Sequence, residues 1–138
     1  MNQLLDRLYC GAFVDVPTCH EQGITCVLSL CEQAPEPVPG VTMLHAPITD
    51  EVHLPAPVWA ELTTLLAKQL RHGHTVLVHC RLGVSRAPSL CAAYMAQAGL
   101  LSIGDALDKV RACRDVASPH VATWGSVLEW YAYESRRR

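Results

Sequence analysis

The stretch that most constrains this chain is Val76-Leu77-Val78-His79-Cys80, an apolar, β-branched run that stops at a cysteine. It gives way through Arg81-Leu82-Gly83-Val84-Ser85-Arg86 to a helical pattern over Ala87–Ala98. Cys80 therefore belongs at the carboxyl end of a buried strand and at the mouth of a helix, which commits the chain to an alternation of strands and helices. A loop in that place can curl successive backbone N–H groups inward, and the helix behind it adds the positive end of its dipole. The result reads as an anion site. The same field favours a thiolate over a thiol, which is how a cysteine becomes a nucleophile near neutral pH. Arg86 returns from the far side of the loop, where its planar fork can take two oxygens of a phosphoryl group.

His79-Cys80-Arg81-Leu82-Gly83-Val84-Ser85-Arg86 resembles the signature of the cysteine-dependent phosphatases, which is His-Cys, five residues, then Arg. More narrowly it is similar to the compact, atypical dual-specificity branch, in which Gly and Ser stand as Gly83 and Ser85 do here. The resemblance implies Cys80 as nucleophile and Arg86 as phosphate clamp, with Arg81, Leu82, Gly83, Val84, Ser85 and Arg86 forming the substrate-binding loop. It also implies that the Ser85 hydroxyl assists departure of the thiolate when the phosphocysteine is hydrolysed, and that His79 holds the loop and tunes Cys80. Taken singly, Cys80 reads equally well as a buried structural cysteine and Gly83 as a turn glycine. A bare Cys-x5-Arg would also fit rhodanese-like domains and arsenate reductases; the joint placement of His, Gly and the Ser-Arg pair separates them. At a coarse level the resemblance covers nearly the whole chain, including the Gly23-Ile24-Thr25 entry to a strand. One departure is Pro119-His120, where many relatives carry Pro-Asn.

With 138 residues, the chain fits one domain over 1–138, large enough to bury a core without cross-links. Half of it is hydrophobic, but no apolar run approaches the ~20 residues needed to span a bilayer, and the N-terminus lacks a charged segment followed by an apolar one. The expectation is a cytoplasmic monomer without membrane contact. Seven cysteines, at 10, 19, 26, 31, 80, 91 and 113, form no Cys-x-x-Cys pair, so neither a disulfide framework nor a zinc ribbon is indicated. A net charge of -2 argues against a broad nucleic-acid surface, and Arg136-Arg137-Arg138 reads as a solvated end rather than a partner contact. His45, His53, His72, His74 and His120 read as loop histidines rather than metal ligands. Two-step cysteine chemistry requires neither metal nor cofactor.

In chain order, Arg7 to Cys10 predicts a short strand ending at Gly11, and Asp15 to Gln22 a helical turn stopped by Gly23. Ile24 to Leu30 predicts a central strand, apolar enough to be buried on both faces. Cys31 to Gly40 holds three prolines and predicts a loop. Val41 to Ile48, interrupted by Pro47, predicts an edge strand. Thr49 to Pro57 predicts a polar loop. A helix follows over Val58 to Arg71, with Val58, Leu62, Leu65, Leu66 and Leu70 at helical spacing and Gly73 as terminator. Ser102 and Asp105 resemble a capping box for a helix over Ile103 to Cys113. Ser118-Pro119 starts a last helix, with Val121, Trp124, Leu128 and Tyr131 on one face. The fold class is α/β, a central, mostly parallel twisted sheet of four or five strands flanked by helices on both faces, with ligands bound outside the carboxyl ends of the strands.

Expelling an alkoxide or phenolate from phosphorus is slow unless the bridging oxygen is protonated as it leaves, and a carboxylic acid on a loop over the pocket can do that. Asp50 fits this role because the resemblance puts an Asp about thirty residues before the nucleophile, at a strand end; Glu51 is the alternative, and the plain reading of Asp50 is a turn cap beside Thr49. The whole indicates a metal-independent phosphomonoester hydrolase acting on phosphotyrosine, phosphoserine or phosphothreonine of a protein or peptide. Phosphoinositide, inositol phosphate or RNA 5′-phosphate substrates are the rival within phosphatases. Related phosphoinositide enzymes tend to carry lysine in the loop, where this chain has Arg81 and Leu82. Sulfur transfer is a more distant rival, and a phosphate-binding pseudophosphatase is the rival outside enzymology, for which Asp50 would have no use.

Cys31 follows the strand ending at Leu30. If that strand is parallel to and beside the one ending at Cys80, the backbones are about 4.8 Å apart, inside the reach of a disulfide. The resemblance implies that adjacency, since related phosphatases pair these strands and some use a cysteine at this strand end to trap an oxidised nucleophile. Cys31 is therefore a candidate redox partner for Cys80.

Overall fold

The computed structural model describes residues 1–137; Arg138, the last member of the basic tail, lies outside the described residues. Strands β1 (Asn2–Leu5), β2 (Leu8–Ala12), β3 (Cys26–Ser29), β4 (Thr42–His45) and β5 (Val76–Cys80) form one sheet in the order β1-β2-β5-β3-β4. Helices α1 (Ala56–Arg71), α2 (Arg86–Gln97), α3 (Ile103–Cys113) and α4 (Val121–Arg137) follow β4 and β5. The pairings β2/β5, β5/β3 and β3/β4 are parallel, and β1 joins β2 antiparallel at the edge. The sheet is therefore mostly parallel, with five strands among the described residues.

Every residue of β3 and β5 is buried, as their unbroken apolar runs require. Because successive side chains on a strand point to opposite faces, each strand feeds two cores. Val76, Val78 and Cys80 of β5 join the larger core with α1–α4, while Leu77 joins Val16, Cys19, Ile24, Val27 and Val38 in the smaller one. The four α-helices thus share one face. The other is covered by a 3-10 segment, Phe13–Gln22, in place of the α-helix that a two-sided arrangement predicts. Pro17 inside this segment removes a backbone donor that an α-helix would use.

Two further differences have physical causes. Asn2–Leu5, which carries no alternation strong enough to read as a strand, is held by pairing with β2 and by burial of Leu4. In α4 the buried face is Thr123, Ser126, Val127 and Trp130, whereas Val121 is 82 % and Leu128 42 % exposed. The helix is rotated because its two polar residues are bonded inside: Trp59 Nε1 donates to Ser126 Oγ at 2.9 Å, and Ser126 Oγ donates to the Thr123 carbonyl at 2.7 Å. A buried hydroxyl with partners costs little, so hydropathy alone misplaces Val121 and Leu128, while Trp124 and Tyr131 do pack against the larger core. Elsewhere the periodicity holds: α1 buries Leu62, Leu66 and Leu70 together with Trp59, α3 buries Ala106, Leu107 and Val110, and Ser102 Oγ accepts the Asp105 N–H at its start. β4 is an edge strand that stops before Pro47.

Candidate active site

The parallel order brings the carboxyl ends of β2, β3, β4 and β5 to one edge, and the loop after Cys80 rises from the middle of it. Its entry is pinned from both sides. The Leu30 N–H donates to the His79 carbonyl at 3.0 Å and the Phe13 N–H to the Arg81 carbonyl at 3.1 Å. At the crown Gly83 has φ 67°, and a Cβ there would lie 2.5 Å from Arg114 Nη2 and 2.6 Å from the Gly11 carbonyl oxygen. Glycine is needed for both conformation and space.

Arg114, buried just past α3, backs this loop. Its Nε donates to the Gly83 carbonyl at 2.8 Å, its Nη2 to the Leu82 carbonyl at 3.1 Å and its Nη1 to Asn2 Oδ1 at 2.8 Å. In a trans peptide the C=O and the next N–H point in opposite directions. Drawing the Leu82 and Gly83 carbonyls onto Arg114 therefore turns the Gly83 and Val84 N–H groups away from it.

Cys80 is buried, and its Sγ accepts the Ala87 N–H from the first turn of α2 at 3.4 Å, which places the sulfur at the positive end of that helix. Beneath it His79 is fully buried, with Nδ1 3.2 Å from the Cys80 carbonyl and 3.9 Å from Cys31 Sγ, and its ring edge-on to Phe13. Burial pushes its pKa below the ordinary 6.5, and the neutral ring donates Nδ1–H to the Cys80 carbonyl. Arg86 is also buried, with Nη1 donating to the Ile48 carbonyl at 3.0 Å, Glu32 Oε1 at 3.0 Å and the Leu30 carbonyl at 3.4 Å. Among the described residues its Nε–H has no partner. One arm of the fork is anchored, and the rest is left for an acceptor.

Asp50, on the loop after β4, faces the same space. Its Oδ1 accepts the Ser85 hydroxyl at 2.8 Å and the Thr123 hydroxyl at 2.9 Å. Burial works to raise the carboxyl pKa, but bonds from Ser85, the Glu51 N–H and Thr123, with the Arg86 charge, outweigh it and hold the group below the ordinary 3.8. Ser85 Oγ in turn accepts the His120 N–H at 2.9 Å, so its proton is directed to Asp50 rather than to Cys80. Asp50, Cys80, Ser85 and Arg86 line one cavity of about 390 Å³, which Arg81, Leu82 and Val84 of the loop also border. Glu51 stands at the lip, exposed and at φ 63°. Gly83, packed against Arg114 and Gly11 at the crown, and the buried His79 do not line the cavity.

The Pro119-His120 departure acquires a reason here: His120 Nδ1 accepts the Ala122 N–H at 3.1 Å, capping α4 as an Asn oxygen would. Three other histidines have partners for their side chains, His45 with the Cys31 carbonyl, His53 with Glu129 and His74 with Thr25. Among the described residues no three His, Cys, Asp or Glu side chains gather as metal ligands, and no helix is long and apolar enough to cross a membrane. Cys31 lies two residues past Ser29, which pairs with His79 in the expected parallel register, and shares the larger core with Cys80. Burial pushes its thiol pKa up, against the lowering influence of Arg86.

Three site residues went unread in the sequence. Glu32 sits in a proline-rich loop, Arg114 in a polar connection and Thr123 in what looked like the solvent face of a helix; only the tertiary fold brings them to Arg86, Gly83 and Asp50.

The family model described as the catalytic domain of dual specificity phosphatases matches residues 8–133. Mouse dual specificity protein phosphatase 14 is 31% identical over 118 residues, covering 83% of this chain and 58% of that protein. Mouse dual specificity protein phosphatase 2 is 29% identical over 132 residues, covering 92% of this chain and 42% of that protein. The chain thus spans about half the length of these curated relatives. The crystal structure of human DUSP28 superposes with a TM-score of 0.90 at 24% identity, covering 100% of both chains, which fixes the fold.

Proposed function

This chain belongs to the dual specificity phosphatase catalytic-domain family, and from that premise we propose that residues 1–138 act as one catalytic domain hydrolysing phosphomonoesters of proteins or peptides. The observation that carries the reading is the shared cavity in which Cys80 Sγ, under the Ala87 amide in the first turn of α2, meets the Asp50 carboxyl and the unanchored part of Arg86. A binding module would have use for the loop amides and Arg86 but none for an acid held over them.

In this reading the Cys80 thiolate attacks phosphorus while the bond from phosphorus to the ester oxygen breaks, and Asp50 gives its proton to that oxygen. The non-bridging oxygens are held by the loop N–H groups, by Arg86 Nε and by the amino terminus of α2. Glu32 keeps the other arm of Arg86 in place. In the second step Asp50, now a carboxylate, takes a proton from water as its oxygen attacks the phosphocysteine, releasing inorganic phosphate and the Cys80 thiolate. For Ser85 to assist that departure its hydroxyl must turn from Asp50 toward sulfur. His79 fixes the Cys80 carbonyl, and no step draws on a metal or cofactor.

Protein or peptide substrates are supported by the bordering residues Arg81, whose guanidinium lies 5.6 Å from the Phe13 ring centroid, and Leu82, which is 69 % exposed. Both suit a peptide lying across the mouth, with an apolar contact at one side. The test is turnover of phosphotyrosine and phosphothreonine peptides beside a soluble phosphoinositide and an RNA 5′-phosphate. The reading requires faster release of phosphate from the peptides; preference for either of the others assigns the site to that substrate class.

A further inference from the structure

Thr123 is fully buried in the first turn of α4, yet its hydroxyl belongs to the acid loop. Its Oγ1 accepts the Glu51 N–H at 3.2 Å and donates to Asp50 Oδ1 at 2.9 Å. Ser85 repeats the pattern from the other side, accepting the His120 N–H at 2.9 Å and donating to the same Oδ1 at 2.8 Å. A hydroxyl has one proton, and in both cases a backbone N–H occupies its accepting side. Both protons are therefore committed to Asp50, and both go to one oxygen. Glu51, whose N–H Thr123 holds, is the non-glycine residue of the described chain at positive φ, so the same contact fixes the strained step next to the acid.

An oxygen that accepts two O–H donors has no room for a proton of its own. We propose that Thr123 is a positioning residue for the acid: together with Ser85 it saturates Oδ1 of Asp50 and confines the transferable proton to Oδ2. The inference rests on Asp50 being the acid of the proposed hydrolysis. Its consequence is that the leaving group is met by a single, fixed donor instead of a carboxyl that can be protonated on either oxygen.

The two bonds also favour the ionised carboxyl, so removing one moves the titration of Asp50 upward. The other charged or titratable groups around it are Arg86 from α2, Cys80 and Arg81 from the loop after β5, Glu32 from the loop after β3, Glu51 beside it and His120 at the start of α4. All of them remain when Thr123 is changed to Val, which keeps the side-chain shape and removes the hydroxyl.

The experiment uses the whole chain with Thr123→Val and Thr123→Ser, read in two ways. One is the pH profile of kcat/KM on an alkyl phosphate, whose poor leaving group demands the acid; the other is titration of the Asp50 carboxyl carbon by ¹³C NMR, which needs no turnover. Thr123→Val is expected to shift both the basic limb and the carboxyl titration upward by about half to one pH unit. Its maximal rate on the alkyl phosphate should fall on the order of tenfold, since the donor is less well aimed. Thr123→Ser, which keeps the hydroxyl, should restore both readouts. Valine profiles that superpose on wild type, or a serine variant that behaves like valine, overturn the inference. Should the valine variant not fold, Thr123→Ala is read by the same criteria. A wild-type chain that hydrolyses no phosphate ester defeats the proposed function instead, while the carboxyl titration still decides whether Thr123 holds Asp50.

Discussion

Arg114 reaches from the end of α3 to the crown of the Cys80 loop and donates its Nε to the Gly83 carbonyl at 2.8 Å. Thirty-one residues separate the two, and the contact is buried. An arginine in that position keeps the carbonyls of the loop turned back, which a loop built to bind an oxyanion with its amides requires.

Replacing Arg114 with Met should therefore damage the loop more than the fold. The methionine keeps apolar bulk but leaves the Leu82 and Gly83 carbonyls without their donor, at a cost of ~1–3 kcal/mol for the buried Gly83 carbonyl and less for the part-buried Leu82 carbonyl. Loop amides displaced by even 1 Å lower turnover about 10²-fold. Oxyanion affinity, followed by the inhibition constant of vanadate or tungstate, should weaken in parallel. An Arg114→Met variant that binds the oxyanion like wild type would show that the loop holds its shape without this contact.

Asp50→Asn tests the acid. Its carboxyl is held below the ordinary 3.8, so the protonated form needed in the first step becomes scarcer as pH rises, and turnover of poor leaving groups falls along a basic limb. The asparagine variant should lose about 10²–10⁴-fold on alkyl phosphates, much less on activated aryl phosphates, and should flatten that limb. If Glu51→Gln produces this pattern and Asp50→Asn does not, the exposed carboxylate at the lip is the acid.

Mild peroxide should inactivate the chain reversibly. Peroxide oxidises the Cys80 thiolate to a sulfenic acid, and the Cys31 thiol condenses with it, losing water and forming a disulfide. Cys80 ends β5 and Cys31 lies two residues past the end of the adjacent parallel β3, and both belong to one core. Because burial pushes the Cys31 pKa up, its thiolate is scarce near neutral pH, and the disulfide should form faster as pH rises. Peptide mapping decides: Cys80 recovered only as sulfinic acid, with Cys31→Ser regaining activity under dithiothreitol as fully as wild type, would rule this pairing out.

Much of this molecule was legible because its strongest signals are local. The Val76–Cys80 run, the glycine in the loop and the apolar pattern behind it depend on neighbours in sequence, and they place Cys80, Ser85 and Arg86 without knowledge of the rest. The unbroken apolar character of β3 and β5 marked them as buried strands, while their parallel pairing was implied by the resemblance to the cysteine-dependent phosphatases. What stayed hidden is carried by polar side chains far away in sequence. Thr123 and Ser126 read as solvated positions because a hydroxyl looks alike whether water or Asp50 is its partner, and that error rotated the expected face of α4. Arg114 and Glu32 were ordinary loop charges until the fold placed them behind Gly83 and Arg86. Asn2–Leu5 has no pattern of its own and becomes a strand because β2 offers it an edge.

The most direct measurement is phosphate release by Cys80→Ser beside the wild-type chain, on an activated aryl phosphate, together with the affinity of each for an oxyanion. Loss of a covalent nucleophile removes several orders of magnitude, so the variant should turn over at less than about a thousandth of the wild-type rate. Its loop amides, Arg86 and the Arg114 support are untouched, so its oxyanion affinity should remain. Hydrolysis by Cys80→Ser above that level would contradict a phosphocysteine mechanism at this site.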